Sequence, residues 1–173
     1  MSVANPKAPG AVDTANAGQQ LFGVRHLERG DRAQWRSLWQ QYLLPTVGRH
    51  PHGFYLQRPR DELIDLTFER LVDPARQPHA FVAVRFDRLV GFVHYLFHPS
   101  SWSMTQVCYL EDLYVEPAMR RAGVGRELIH AVYAAADQAN ASTVHWVTQE
   151  SNTAARALFE TLAHRTTFIR FER

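Results

Sequence analysis

Arg120-Arg121-Ala122-Gly123-Val124-Gly125 joins a strand-like run to a helix-like run, with Arg126 directly after it. A helix that opens after such a loop points unpaired backbone N–H groups and partial positive charge outward. That is a seat for a pyrophosphate. Gly123 and Gly125 have no Cβ to keep a phosphate away from the backbone, and Arg120, Arg121 and Arg126 add positive charge. A Gly-containing turn with surface arginines is the competing reading of the same residues. The Rossmann G-x-G-x-x-G and the P-loop G-K-[ST] patterns are both missing.

Glu111 and Asp112 form a second candidate, inside the otherwise apolar run Val107 to Val115. A carboxylate there can take a proton from an attacking group or orient a water. In a regular strand Asp112 turns to the face opposite Glu111. The bland reading is one solvent-facing and one edge charge. The nine histidines form no H-E-x-x-H motif and no Cys/His cluster, so no metal is expected. A Ser–His–Asp hydrolase would need G-x-S-x-G after a strand, which is absent. Cys108 is the single cysteine. It reads as a buried structural thiol, and a chain that cannot form an internal disulfide fits a cytoplasmic setting.

The elements that position these residues follow from periodicity and breakers. Val24 to Leu27 reads as a strand. Asp31 and Gln34 form a capping-box pattern, and Trp35, Leu38, Trp39 and Tyr42 follow at helical spacing. Residues 44–60 carry Pro45, Gly48, Pro51, Gly53 and Pro59 and read as a loop. Glu62 to Leu71 is a second helix. Ala80 to Val84 and Leu89 to Phe97 make a hairpin about an Asp87-Arg88 turn. Val107 to Val115 is a long strand stopped by Pro117. A helix from Gly123 to Ala139, a strand from Thr143 to Thr148, a helix capped by Asn152 and a last strand from Phe168 to Phe171 complete the order. The expected fold is a mixed α/β domain in which antiparallel strands lead into one strand–helix–strand crossover.

Residues 1–20 read as a loose tail without a signal-peptide core, and residues 21–173 as one domain. Hydrophobic residues make up 46% of the 173, a folding composition. The formal charge of +2 comes with no basic block, against a nucleic-acid binder. No apolar run approaches the roughly 18 residues of a membrane span.

Val115-x-Pro117-x-x-Arg120-Arg121-x-Gly123-Val124-Gly125-x-x-Leu128 resembles the central motif of the GNAT acetyltransferase superfamily. Asn152-Thr153-Ala154-Ala155-Arg156-Ala157-Leu158-Phe159-Glu160 resembles its N-x-x-A-x-x-L-Y-E motif, at the spacing of one βαβ unit. Tyr109 to Val115 and the Trp-rich first helix resemble the polyamine acetyltransferases and the yeast histone/polyamine branch. The resemblance implies the GNAT fold, with splayed strands holding coenzyme A. It implies acetyl-CoA as donor and a primary amine as acceptor: a polyamine, an amino acid or other small amine, or a protein lysine. It implies a homodimer. It also implies roles. Residues 120–126 would wrap the pyrophosphate. Leu113, Tyr114 and Val115 would pair with the pantetheine arm and supply oxyanion donors, and Asn152 would lie near that arm. Glu111 would be the base or water-positioner, and Asp112 would hold a cationic acceptor. Transfer would be direct, in a ternary complex.

Two departures stand out. Phe159 occupies the position of the family's tyrosine, the acid for the leaving thiolate, and phenylalanine donates no proton. Either the thiol, with a pKa of about 8.5, leaves without help, or another group such as Tyr114 or a water serves. Ala163-His164 replaces the family's Gly-Phe. A non-catalytic acyl-CoA-binding or sensor domain is the alternative, and Phe159 is its best argument.

Overall fold

In the computed structural model, residues 22–43 and 61–171 are described. The expected tail (1–20) and the Pro- and Gly-rich loop (44–60) lie outside these residues.

The three apolar runs form the middle of one sheet. β2 (His79–Arg85), β3 (Arg88–His98) and β4 (Val107–Val115) are neighbouring antiparallel strands. β1 (Gly23–His26) adds to β2, and β5 (Val144–His145) pairs in parallel with β4, so the order is β1-β2-β3-β4-β5. The parallel pair follows from the crossover: helix α3 (Val124–Gln138) carries the chain back between β4 and β5. This is the mixed α/β architecture expected from the sequence.

Helices α1 (Arg32–Leu43) and α2 (Asp61–Leu71) cover one face of the sheet. Trp35, Leu38, Trp39 and Leu43 of α1 are buried at helical spacing, with Ile64 and Phe68 of α2 and Phe92 of β3 among their neighbours. Helix α3 covers the other face through Val124, Leu128, Ile129, Val132 and Ala136. Helix α4 (Thr153–Phe159) adds Leu158 and Phe159 there. Full burial of a side chain the size of Ile129 stabilises the fold by roughly 1.5–3 kcal/mol. Helix α3 ends in a Schellman motif: Asn140 takes a positive φ of 51°, and Ala141 N–H reaches back to the Ala136 carbonyl at 2.9 Å.

Four local expectations change. The capping pair sits one turn earlier, where the Asp31 carboxylate accepts from Glu28 N–H at 2.9 Å. Gln34 instead clamps the hairpin: its Oε1 accepts from Leu89 N–H (2.8 Å), and its Nε2 donates to the Asp87 carbonyl (3.2 Å). The hairpin turn is Phe86-Asp87, both at positive φ, one residue before the expected place. β5 keeps only Val144 and His145 of the expected 143–148. Residues 168–171 form no strand, and Phe168, Ile169 and Phe171 are exposed. An edge two residues long offers a further strand little ladder to bond to.

Candidate active site

β4 gains one residue in its pairing with β3. His94 lies opposite Asp112 and Tyr95 opposite Leu110, so Glu111 has no counterpart. This is a β-bulge. Its effect is visible in which residues pack where. Before it, Cys108 and Leu110 face α3; after it, Leu113 and Val115 do. The even-numbered face has become odd, and Tyr114 now packs with the α1 side. Glu111 and Asp112 therefore share the α1 face, contrary to the alternation of a regular strand.

Past Tyr109 and His145 the two parallel strands separate. Among the described residues, β4 has no strand on its β5 side from Leu110 onward, and Trp146 to Gln149 form no ladder. The result is an open edge of backbone amides along Leu113, Tyr114 and Val115. It leads straight to the N-terminus of α3.

That N-terminus is built by a short 3-10 turn, Pro117–Met119, and by residues 120–123. Gly123 is the N-cap, at φ 86°, and Glu127 N–H is the first to bond back, to the Gly123 carbonyl at 3.1 Å. The N–H groups of Val124, Gly125 and Arg126 thus precede the first helical bond. A Cβ built on Gly123 meets nothing within 4 Å, so the space in front of the helix is open. Arg121, also at positive φ (66°), and Ala122 are exposed beside it. Arg120 Nε donates to the Val115 carbonyl (3.2 Å), tying the loop to the end of β4. Arg126 donates to Thr161 Oγ1 (3.0 Å) and ties α3 to the end of α4.

The two glycines differ in purpose. Gly123 supplies the left-handed cap. At Gly125 a Cβ would come within 3.1 Å of Leu158 Cδ2, so this glycine lets α4 approach α3. A third glycine with a packing role is Gly91, inside β3. A Cβ there would stand 2.8 Å from the Tyr114 carbonyl oxygen and 3.4 Å from Val124 and Leu128. Gly91 lets the Tyr114 carbonyl of β4 approach β3 closely. An isolated glycine inside a strand pattern is the signal that marks such a place.

On the α1 face the two acids sit in a cluster. Asp112 Oδ2 lies 2.9 Å from His94 Nδ1, and Trp35 Nε1–H donates to His94 Nε2 at 3.0 Å. The Tyr42 hydroxyl is hydrogen-bonded to Asp112, and burial followed by that carboxylate's charge raises its pKa. Burial first, then the charge of Asp112, hold the Glu111 carboxyl above its ordinary value; His94 opposes them. Burial also raises Tyr109, next to Glu111 in this group. A carboxyl that holds protons more tightly than usual is a better base once ionised. Asp112 is almost fully buried and already engaged by His94 and Tyr42.

Asn152 caps α4, its Oδ1 accepting from Ala155 N–H at 3.4 Å. Phe159 packs edge-on against Trp146, ring centroids 5.3 Å apart. The Tyr114 hydroxyl donates to Gln41 Oε1 (3.1 Å) on the α1 side, away from Phe159. Cys108 is fully buried, and burial pushes its thiol up to about 11. The sequence reading overlooked His94, Trp35 and Tyr42 as site residues. The parity break, with Leu110 and Leu113 both apolar around the two acids, was the one available signal for the bulge.

Comparison with known proteins adds three findings. Residues 29–163 match the family model described as the acetyltransferase (GNAT) family. The chain is 34% identical over 154 residues to the D-amino-acid N-acetyltransferase HPA3 of Saccharomyces cerevisiae, covering 87% of this chain and 89% of that one. Its fold resembles an aminoglycoside N-acetyltransferase AAC(6')-Iy in complex with CoA, at TM-score 0.71 and 22% identity over 88% of this chain and 93% of that one. It also resembles a ribosomal-protein-alanine N-acetyltransferase from Brucella melitensis biovar Abortus 2308, at TM-score 0.67 and 19% identity over 87% and 96%.

Proposed function

The chain belongs to the acetyltransferase (GNAT) family and is an acetyl-CoA-dependent N-acetyltransferase, and on that premise we propose that it acetylates the primary amine of a small molecule, with Glu111 as the base. The observation that carries this reading is the bulge: it sets a half-buried carboxyl of raised pKa on the α1 face, beside the open edge of β4.

The donor set fits the pyrophosphate and pantetheine of acetyl-CoA. The open N-terminus of α3, Gly123 and the arginines suit the pyrophosphate. The unpaired edge at Leu113 to Val115 suits an amide-bearing arm. Acetyl-CoA supplies the thioester: a C–N bond to the amine forms at its carbonyl carbon as the C–S bond breaks. An alkylammonium has a pKa of roughly 10.4, so it must lose a proton first. Glu111 takes that proton, directly or through one water. Backbone N–H groups of β4 are suited to stabilise the developing oxyanion. With Phe159 as the neighbour of the leaving sulfur, the thiolate is left to take its proton from water. A thiol pKa of about 8.5 makes that tolerable.

The kinship with a D-amino-acid N-acetyltransferase supports the α-amine of a small amino acid as acceptor. Polyamines and protein lysines are the competitors. The reading also includes a cytoplasmic homodimer, for which sedimentation measures the assembly. An acceptor panel of D- and L-amino acids, polyamines and lysine peptides, followed by free-thiol release, tests the activity. Turnover on free amino acids is expected. Coenzyme A binding without turnover on any amine overturns the proposal in favour of a sensor domain.

A further inference from the structure

Trp35, His94 and Asp112 come from α1, β3 and β4 and are 0%, 1% and 8% exposed. Apolar side chains would fill the same space with no partners to find. A buried polar chain is tolerable only when every member is satisfied. Here the partners also dictate one another. An indole N–H can only donate. His94 Nε2 must therefore accept from Trp35, which leaves the ring hydrogen on Nδ1, facing Asp112 Oδ2. Trp35 stands 59 residues before His94, yet it selects the tautomer that gives Asp112 a donor.

We propose that Trp35 and His94 are positioning residues for acetyl transfer: the indole fixes the imidazole as its Nδ1–H tautomer, and that N–H holds the Asp112 carboxylate beside Glu111. The inference rests on the reading of Glu111 as the base. The groups around Glu111 include Asp112 and Tyr109 on its own strand, His94 on β3 and Tyr42 on α1, with Arg170 beside Tyr109. Among them the Asp112 charge raises the proton affinity of Glu111, second only to burial. Without the imidazole donor, Asp112 loses the N–H that fixes its carboxylate from the β3 side. Its charge then acts on Glu111 from a different place. Neither Trp35 nor His94 has to touch the acceptor for this to matter.

A long-range proton–nitrogen NMR correlation on the full-length, nitrogen-15-labelled protein reads the tautomer directly. His94 is expected to carry its hydrogen on Nδ1 with Nε2 as an acceptor; an Nε2–H ring overturns the proposal. Kinetics read the consequence. His94→Asn keeps an N–H for Asp112, and His94→Leu does not. The leucine variant is expected to lower kcat about tenfold to a hundredfold. Its acidic limb in the pH–rate profile should shift from the wild-type position, because both the Asp112 and the His94 influence on Glu111 change, with KM for acetyl-CoA unchanged. Asparagine should restore most of both. Identical wild-type profiles for the two variants overturn the proposal. Should His94→Leu fail to fold, Trp35→Phe removes the donor while keeping an aromatic core, and its pH profile is expected to shift the same way; an unshifted profile overturns the proposal. A Glu111→Gln enzyme at the wild-type rate would instead remove the base reading, whatever the tautomer.

Discussion

Glu111 and Asp112, neighbours in β4, stand on the same face of the sheet, because the pairings Tyr95–Leu110 and His94–Asp112 leave one residue unmatched between them. Two carboxylates on one face, one held by His94 and Tyr42, give the other an environment no regular strand provides.

Glu111→Gln is expected to reduce kcat/KM by roughly a hundredfold or more. The loss should be largest well below the acceptor amine's own pKa, where a proton has to be removed. Coenzyme A affinity, measured by calorimetry, should not change. The same substitution should stabilise the fold. The folded-state pKa of Glu111 lies above the unfolded one, so the native state binds the proton more tightly. Stability from this group therefore falls as pH rises through that interval, and the ionised side chain opposes folding at neutral pH. Thermal melts should show the variant above the wild type at pH 7 and the gap closing towards pH 4. A lower melting temperature at pH 7 would contradict the raised proton affinity.

At Gly123 the substituent decides the effect. Aspartate tolerates the left-handed region better than most residues, and a Cβ there meets nothing within 4 Å. Gly123→Asp should therefore fold, yet weaken coenzyme A by about tenfold or more, because it puts a carboxylate where backbone N–H groups await a pyrophosphate. Gly123→Asn has nearly the same shape without the charge and should retain most of the affinity. Equal affinities for the two variants would remove the loop from the cofactor site.

Gly91→Ala should destabilise the protein by about 1–3 kcal/mol, as overpacking does. The added Cβ would fall 2.8 Å from the Tyr114 carbonyl oxygen, a backbone atom with little freedom to move. Val124 and Leu128 would lie at about contact distance, so the strain falls on the pairing of β3 with β4. A lower urea midpoint with weaker coenzyme A binding is the expected pair of results. An unchanged midpoint would show that the strand accommodates the methyl group.

Phe159→Tyr restores the phenol found at this position in the family resemblance. The ring sits against Trp146, and the leaving thiol needs little help. We expect kcat to rise by no more than about threefold, well short of the gain of a hundredfold or more typical of a positioned general acid. A larger rise would mean that sulfur protonation limits the native enzyme.

Much of this was legible before any coordinates. The loop 120–126, the Asn152 cap and the long α3 depend on local chemistry: glycine's freedom, side-chain caps and a helical apolar stripe. The chain itself carries these, so Gly123 and Asn152 sit where their motifs require. The strand 168–171 failed for the opposite reason. Its apolar residues have strand propensity, but a strand exists only where a neighbour offers a ladder, and β5 offers two residues. Gln34 was misread likewise: its spacing from Asp31 suits a cap, yet its bonds go to a hairpin more than fifty positions away.

The amino-acid sequence by itself determined the order of elements as far as α4, the glycine loop before α3 and the presence of two adjacent acids, because each is written in neighbouring residues. The tertiary structure alone decided what those acids can do. The bulge that brings Glu111 and Asp112 to one face is a property of two strands in register, not of either strand. The Trp35–His94 contact that orients Asp112 needs α1 laid across β3 and β4. The proton affinity of Glu111, the proposed base, is set by its surroundings, and these come from α1, β3 and β4 together.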